Sequence, residues 1–262
     1  MKSSSYARSS STMLAIVLGC CLVACTQTRE THPQKFKKAA PEVIAATDMQ
    51  LAIEFLRESK MTESRDAIEH ALAGNPGSAD VQMTAGLIYE RLNEERKAER
   101  AYSTGYRLGK DDPNIQNTYA GYLCRSGKAP EGEKLFVQVA HSPLYQTPEV
   151  ALINAGVCVR STGDIVDAEK YFNQALAIRP NMPEAMLQLG NIALDSGDAA
   201  QARDIVQRYL AVNAPTAEVL WLGVRTERKL GDSVAAAAYA RRVQSEFPDS
   251  EQAKTMRSGI AR

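Results

Sequence analysis

A glycine recurs at Gly127, Gly163, Gly197 and Gly231, at intervals of 36, 34 and 34 residues, and this period constrains the 262-residue chain more than any other feature. A period in this range marks architectures whose single units cannot bury their apolar faces and gain a core only by stacking. Prolines follow the same rhythm at Pro76, Pro180 and Pro248. So do small residues. One series runs Ala52, Gly86, Ala120, Gly156, Gly190 and Val224, and a second runs Ser64, Ala98, Gly132, Ala168, Ala202 and Ala236. All but Val224 are Gly, Ala or Ser, which lets two helix backbones approach at the short end of helix packing distances. Each repeat therefore reads as two helices crossing at small residues, with a glycine at the turn between them and a proline after the second.

The stretch Asp167-Ala-Glu-Lys-Tyr-Phe-Asn-Gln-Ala-Leu176, followed by Pro180, resembles the second helix of a tetratricopeptide-repeat (TPR) unit. The expected fold is all-α: a right-handed superhelix, or α-solenoid, of about six TPR helix-turn-helix units spanning 45–249. The units begin near residues 45, 79, 113, 149, 183 and 217, and the two extra residues fall in the third, in the loop His141 to Pro148. Phe55, Tyr89, Leu123, Phe136, Phe172 and Leu189 fill the positions between the small residues and read as core. Register is weakest at the ends, where Ser64 and Val224 depart from the pattern. Residues 250–262 form a C-terminal cap or tail, because an end unit needs a polar outer surface.

The N-terminus reads as a processing segment. Lys2 and Arg8 lie in a serine-rich stretch, and Met13 to Ala24 is an apolar run too short to span a bilayer. It ends in Leu22-Val-Ala-Cys25, which resembles the lipobox of bacterial lipoproteins. The expectation is a signal peptide over 1–24 and acylation of Cys25, with more than one acyl chain giving stable anchoring. Thr26 follows, and lipoproteins without aspartate there usually go to the outer membrane. Residues 25–44 then carry the lipidated cysteine and a flexible tether, whose polar part of about 20 residues spans roughly 25 Å.

Basic and acidic residues balance at 31 each, which gives no basic excess for a nucleic-acid surface. The chain has no phosphate-binding glycine loop, no H-E-x-x-H and no C-x-x-C after residue 25. His32, His70 and His141 are scattered through a tether, a helix and a loop. The expectation is a binding protein and not an enzyme, with no cofactor, no metal and no small-molecule substrate.

Cys124 and Cys158 remain after lipidation, each on the first helix of adjacent units. First helices of neighbouring units pack side by side, so a disulfide is within reach, and the periplasm permits one. The alternative is a pair of buried thiols, since the turn glycines put the two cysteines two positions out of register.

In TPR stacks the groove is lined by the first helices, at about the second, fifth, ninth, twelfth and thirteenth places of each unit. Those places hold Met49, Ile53 and Leu56 in the first unit and Met83 and Leu87 in the second. Methionine-containing apolar surface adapts to a partner helix or strand. The far end holds Trp221 and Arg225, with Arg228 and Lys229, so the groove is expected to run from apolar to basic. The alternative for the first set is packing against the tether, and for Trp221 it is inter-repeat core.

Several segments go beyond general TPR positions. They are Asn117-Thr-Tyr-Ala-Gly-Tyr-Leu-Cys124-Arg-Ser-Gly127, Ser142-Pro-Leu-Tyr-Gln-Thr-Pro-Glu149, Asn154-Ala-Gly-Val-Cys158, Leu220-Trp-Leu-Gly223 and Phe247-Pro-Asp-Ser250. With them the chain resembles the PilF/PilW family of type IV pilus biogenesis lipoproteins, the pilotins. The resemblance implies a lipid-anchored protein on the periplasmic face of the outer membrane. Its partner would be the pilus secretin, whose subunits it helps to reach that membrane and multimerise. Other readings of the same fold and anchor are an adaptor lipoprotein for outer-membrane barrel assembly or for peptidoglycan enzymes, and a structural stabiliser of the assembled pilus machine.

Overall fold

The computed structural model describes residues 40–258. The expected signal peptide, Cys25 and the tether up to residue 39 lie outside the described residues, as do the last four residues of the expected cap. Among the described residues there are thirteen helices and no strand. The first six are α1 (Pro41–Arg57), α2 (Met61–Gly74), α3 (Ala79–Arg91), α4 (Glu95–Leu108), α5 (Pro113–Arg125) and α6 (Ala129–Ala140). The next six are α7 (Pro148–Ser161), α8 (Ile165–Ile178), α9 (Pro183–Asp195), α10 (Ala199–Val212), α11 (Ala217–Leu230) and α12 (Ser233–Glu246), and α13 (Glu251–Arg257) closes the series. Each odd-numbered helix up to α11 packs on the helix that follows it, and neighbouring odd-numbered helices touch in turn. The result is a TPR solenoid of six helix pairs.

All twelve small-residue positions are buried. The ring of Tyr102 occupies the space over Gly86, where a Cβ would come within 2.7 Å of it, and Phe172 does the same over Gly156. Ser64 keeps the pattern by another route. Its hydroxyl donates a 2.8 Å hydrogen bond to the Ala52 carbonyl, so the polar atom is satisfied at the crossing of α1 and α2. In the last pair the close approach moves one residue, from Val224 to Gly223, over which the ring of Tyr239 lies.

The turn inside each pair needs one residue in the left-handed region. Gly127, Gly163, Gly197 and Gly231 supply it in the last four pairs, with φ between 80° and 93°. Counting back by 34 reaches Asn93 and Ser59, and these adopt the same conformation at φ 58° and 59°. One residue further on, Asp164, Asp198 and Asp232 cap α8, α10 and α12, each side chain accepting from a backbone N–H at 2.9–3.0 Å.

One boundary differs from the sequence-based expectation. α1 starts at Pro41, ahead of residue 45, with the proline in the first helical turn, where its missing N–H is harmless. At the two-residue excess, α6 is short and the connection 141–147 is long. Tyr145 in that connection is buried against Val139 and Ala151, which ties the loop down. At the other end Ala253 of α13 is buried in the core of the last pairs.

Candidate partner-binding groove

The first helices of the first four pairs wall a cleft of about 840 Å³. Met49 comes from α1, Met83, Thr84 and Leu87 from α3, Asn114, Asn117 and Gly121 from α5, and Asn154, Val157 and Ser161 from α7. Tyr102 and Phe136 reach it from the second helices. This follows from helix geometry, since places spaced three and four apart fall on one face.

Of the residues expected to form the groove, Met49, Met83 and Leu87 line this cleft, with Met83 largely buried in its wall. Ile53 and Leu56 are half-buried on α1 outside it, and Leu56 packs on the core of the first pairs. Trp221 is half-buried on α11, and it too lies outside the cleft. Arg225 donates to Asp195 at 2.9 Å and to Asn191 at 3.1 Å. Arg160 on α7 reaches the other oxygen of Asp195 at 3.3 Å, so one carboxylate bridges two arginines across α9. Two positive charges thus share one negative charge at this end of the row of first helices.

Residues not expected in the groove form the middle of the cleft. The same second, fifth, ninth, twelfth and thirteenth places, counted in the third unit from residue 113, hold Asn114, Asn117, Gly121, Cys124 and Arg125. All five line it. Counting was a sufficient signal; hydrophobicity was not. The Asn154 amide donates to Asn117 Oδ1 at 3.3 Å, joining α7 to α5 across the floor. Arg125 clamps the Glu90 carboxylate at 2.7 and 3.0 Å, and Tyr102 donates to the same carboxylate at 2.8 Å. Burial pushes the Glu90 carboxyl up, but the hydrogen bonds from Arg125 and Tyr102 and the arginine charge outweigh it and hold it below its ordinary value. The Tyr102 hydroxyl is pushed far up by burial and by Glu90, and stays protonated.

Cys124 and Cys158 sit in the same wall. Their Cα atoms are 5.5 Å apart and the sulfurs are joined in the structure, linking α5 to α7. Measured from the buried crossing residues Ala120 and Gly156, the cysteines lie at different positions. The long connection before α7 accompanies this offset between adjacent first helices.

Comparison with known proteins bears on these observations. A tetratricopeptide-repeat family model matches residues 160–222. The type IV pilus assembly protein PilF of Pseudomonas aeruginosa is 21% identical over 237 residues, covering 90% of this chain and 94% of that protein. The crystal structure of PilW, described as a widely conserved type IV pilus biogenesis factor, superposes with a TM-score of 0.68 at 28% identity. It covers 81% of this chain and 98% of PilW. The chain is a TPR protein homologous to PilF and PilW. The structure of P. aeruginosa PilF shares the fold, with a TM-score of 0.64 at 18% identity over 84% of this chain and all of that one. The PilF match extends over nearly the full length of both chains, so the likeness is not confined to a few generic repeats.

Proposed function

We propose that the chain is an outer-membrane lipoprotein of type IV pilus biogenesis that binds secretin subunits and promotes their outer-membrane localisation and multimerisation. The observation that carries the pilus assignment is the near end-to-end match to PilF and PilW, proteins named for that process. The cleft supplies the physical means. Its walls combine methionine, leucine and valine with asparagine side chains, which suits a protein segment better than a small charged substrate. The mode of action is therefore binding and not catalysis.

Acylation at Cys25 would hold the repeats beside the bilayer, and a tether of about 20 residues sets an effective concentration for any subunit captured there. Raising local concentration drives oligomerisation without a chemical step. The bond between Cys124 and Cys158 belongs to this reading as a brace on the cleft wall, suited to an oxidising compartment.

Deleting the gene in its host and complementing with wild type or Cys25→Ala tests the proposal. Heat- and detergent-resistant secretin multimers are expected to vanish on deletion and to return to the outer-membrane fraction only with the lipidated form. Unchanged amount and location of multimers would rule the secretin role out.

A further inference from the structure

The end units of a stacked repeat have no neighbour on their outer side and need a polar surface or a cover there. At the C-terminal end α13 supplies a cover, packing on α11 and α12 with Ala253 buried. At the other end no described helix precedes α1. Later first helices each pack on the second helix before them. Counting by the repeat from Thr47 reaches Val81, Ile115, Ala151, Ala185 and Val219, and from Leu51 it reaches Ala85 and Ala155. All of these are buried, whereas Thr47 and Leu51 are exposed.

Val43 and Ile44 join them at 59% and 40% exposure, with Leu51 at 45%. Residues three and four apart share a helix face, so 43, 44, 47 and 51 form one apolar stripe on the outer side of α1. The Thr47 hydroxyl donates to the Val43 carbonyl at 2.9 Å, so the one polar atom in the stripe is satisfied within the helix. By helical spacing Glu42 falls on the opposite side, and Asp48 is half-buried at the edge. Further along the helix Glu54 pairs with Arg57 and Glu58 with Lys60, both at 2.6 Å. The outer face therefore changes from apolar to charged away from the point where the chain enters it.

We propose that the outer face of α1 docks on the bilayer surface, with Val43, Ile44 and Leu51 entering the boundary between headgroups and acyl chains. The inference rests on acylation of Cys25 and on nothing about the secretin. Cys25 precedes Pro41 by about 16 residues, a reach of roughly 20–24 Å for a flexible coil. Lys35, Lys37 and Lys38 come just before the helix in sequence, and their charge suits anionic phosphate headgroups. Three large side chains are too small a patch for a second copy, which needs roughly 800 Å² per partner. A face already tethered beside the membrane needs little affinity of its own. Met49 on the same helix lines the cleft, so docking of α1 fixes the cleft against the bilayer.

The test uses the purified, acylated full chain in vesicles of phosphatidylethanolamine and phosphatidylglycerol. Cys124 and Cys158 are joined, so an introduced cysteine is the free thiol of the acylated chain. Ile44→Cys and Ala73→Cys are each labelled with an environment-sensitive fluorophore. Ala73 is exposed on α2 beside Gly74, whose Cβ would lie 3.4 Å from the Pro41 carbonyl, so both probes sit near the start of α1 and only one is on the stripe. The probe at 44 is expected to shift to the blue and to be quenched by brominated acyl chains, and the probe at 73 to do neither. Adding Val43→Asp and Leu51→Asp should abolish the effect at 44 with helical circular dichroism unchanged, since both side chains are exposed. Vesicle flotation reads the anchor separately. A chain that floats while the probe at 44 reports water, or while both probes respond alike, overturns docking and leaves the lipoprotein reading standing. Energy transfer between labelled copies without quenching by lipid would make the face a contact between chains and overturn docking too. A chain that does not float overturns the anchor and the docking together.

Discussion

A Cβ added to Gly132 would lie 2.4 Å from Sγ of Cys124 and 2.8 Å from the Ala120 carbonyl, so α6 approaches α5 only because position 132 has no side chain. Neither neighbour can yield easily, since one is backbone and the other is joined to Cys158. Gly132→Ala is expected to destabilise the protein by about 1–3 kcal/mol through overpacking. Gly121→Ala, on the partner helix, is expected to stabilise it by up to about 1 kcal/mol. Urea unfolding of the two variants side by side checks the opposite signs.

The left-handed turn position makes a second prediction. Ser59 holds φ 59° with a side chain that disfavours that region, whereas four other pairs use glycine there. Ser59→Gly should raise stability by about 0.5–1 kcal/mol, and Asn93→Gly by less, because asparagine tolerates the conformation. Gly163→Ala should lower it by about 1–2 kcal/mol, although nothing lies within 4 Å of the new methyl. A midpoint shift in denaturant measures each.

Acid should loosen the contact between the second and third repeats through Glu90. Its carboxyl is raised by burial but held lower overall by Arg125 and Tyr102, so its folded pKa lies below the ordinary 4.5. A depressed carboxylate contributes stability that is fully present above the unfolded value and is lost as pH falls through the folded one. Wild type is therefore expected to lose stability below about pH 4.5. Glu90→Gln should be less stable than wild type at pH 7 and should lose less on acidification. Thermal melts from pH 7 to pH 3 test the difference.

The sulfurs of Cys124 and Cys158 are joined across a 34-residue separation. Alkylation without reductant should leave both cysteines unmodified, and alkylation after reduction should add two adducts by mass. On the chain-entropy estimate, losing the bond lowers stability by about 4 kcal/mol. Free thiols before reduction would contradict the linkage.

Much of this architecture is legible because period and residue size are properties of the chain itself. Gly163 and Ala168 announce a turn and a helix crossing wherever they recur. Ser59 and Asn93 occupy the same turn position, yet neither is a glycine, so only counting by 34 exposes them. Within the cleft, Met83 and Leu87 stand out as apolar residues on a first helix, but Asn117 and Gly121 carry no such mark. Arg225 shows the limit of local reading. Its ion-pair partner, Asp195, is thirty positions away and brought near only by the stacking of α9 and α11.

The proposed role requires that the cleft itself bind the secretin. Binding of the purified periplasmic part of the host's secretin to the full chain in detergent, measured calorimetrically, tests it most directly. Val157 lines the cleft at 42% exposure, and Val212 is similarly exposed but lies outside it. Saturable binding to wild type, retained in Val212→Asp and lost in Val157→Asp, is expected; equal binding to all three, or none to wild type, would contradict binding in the cleft.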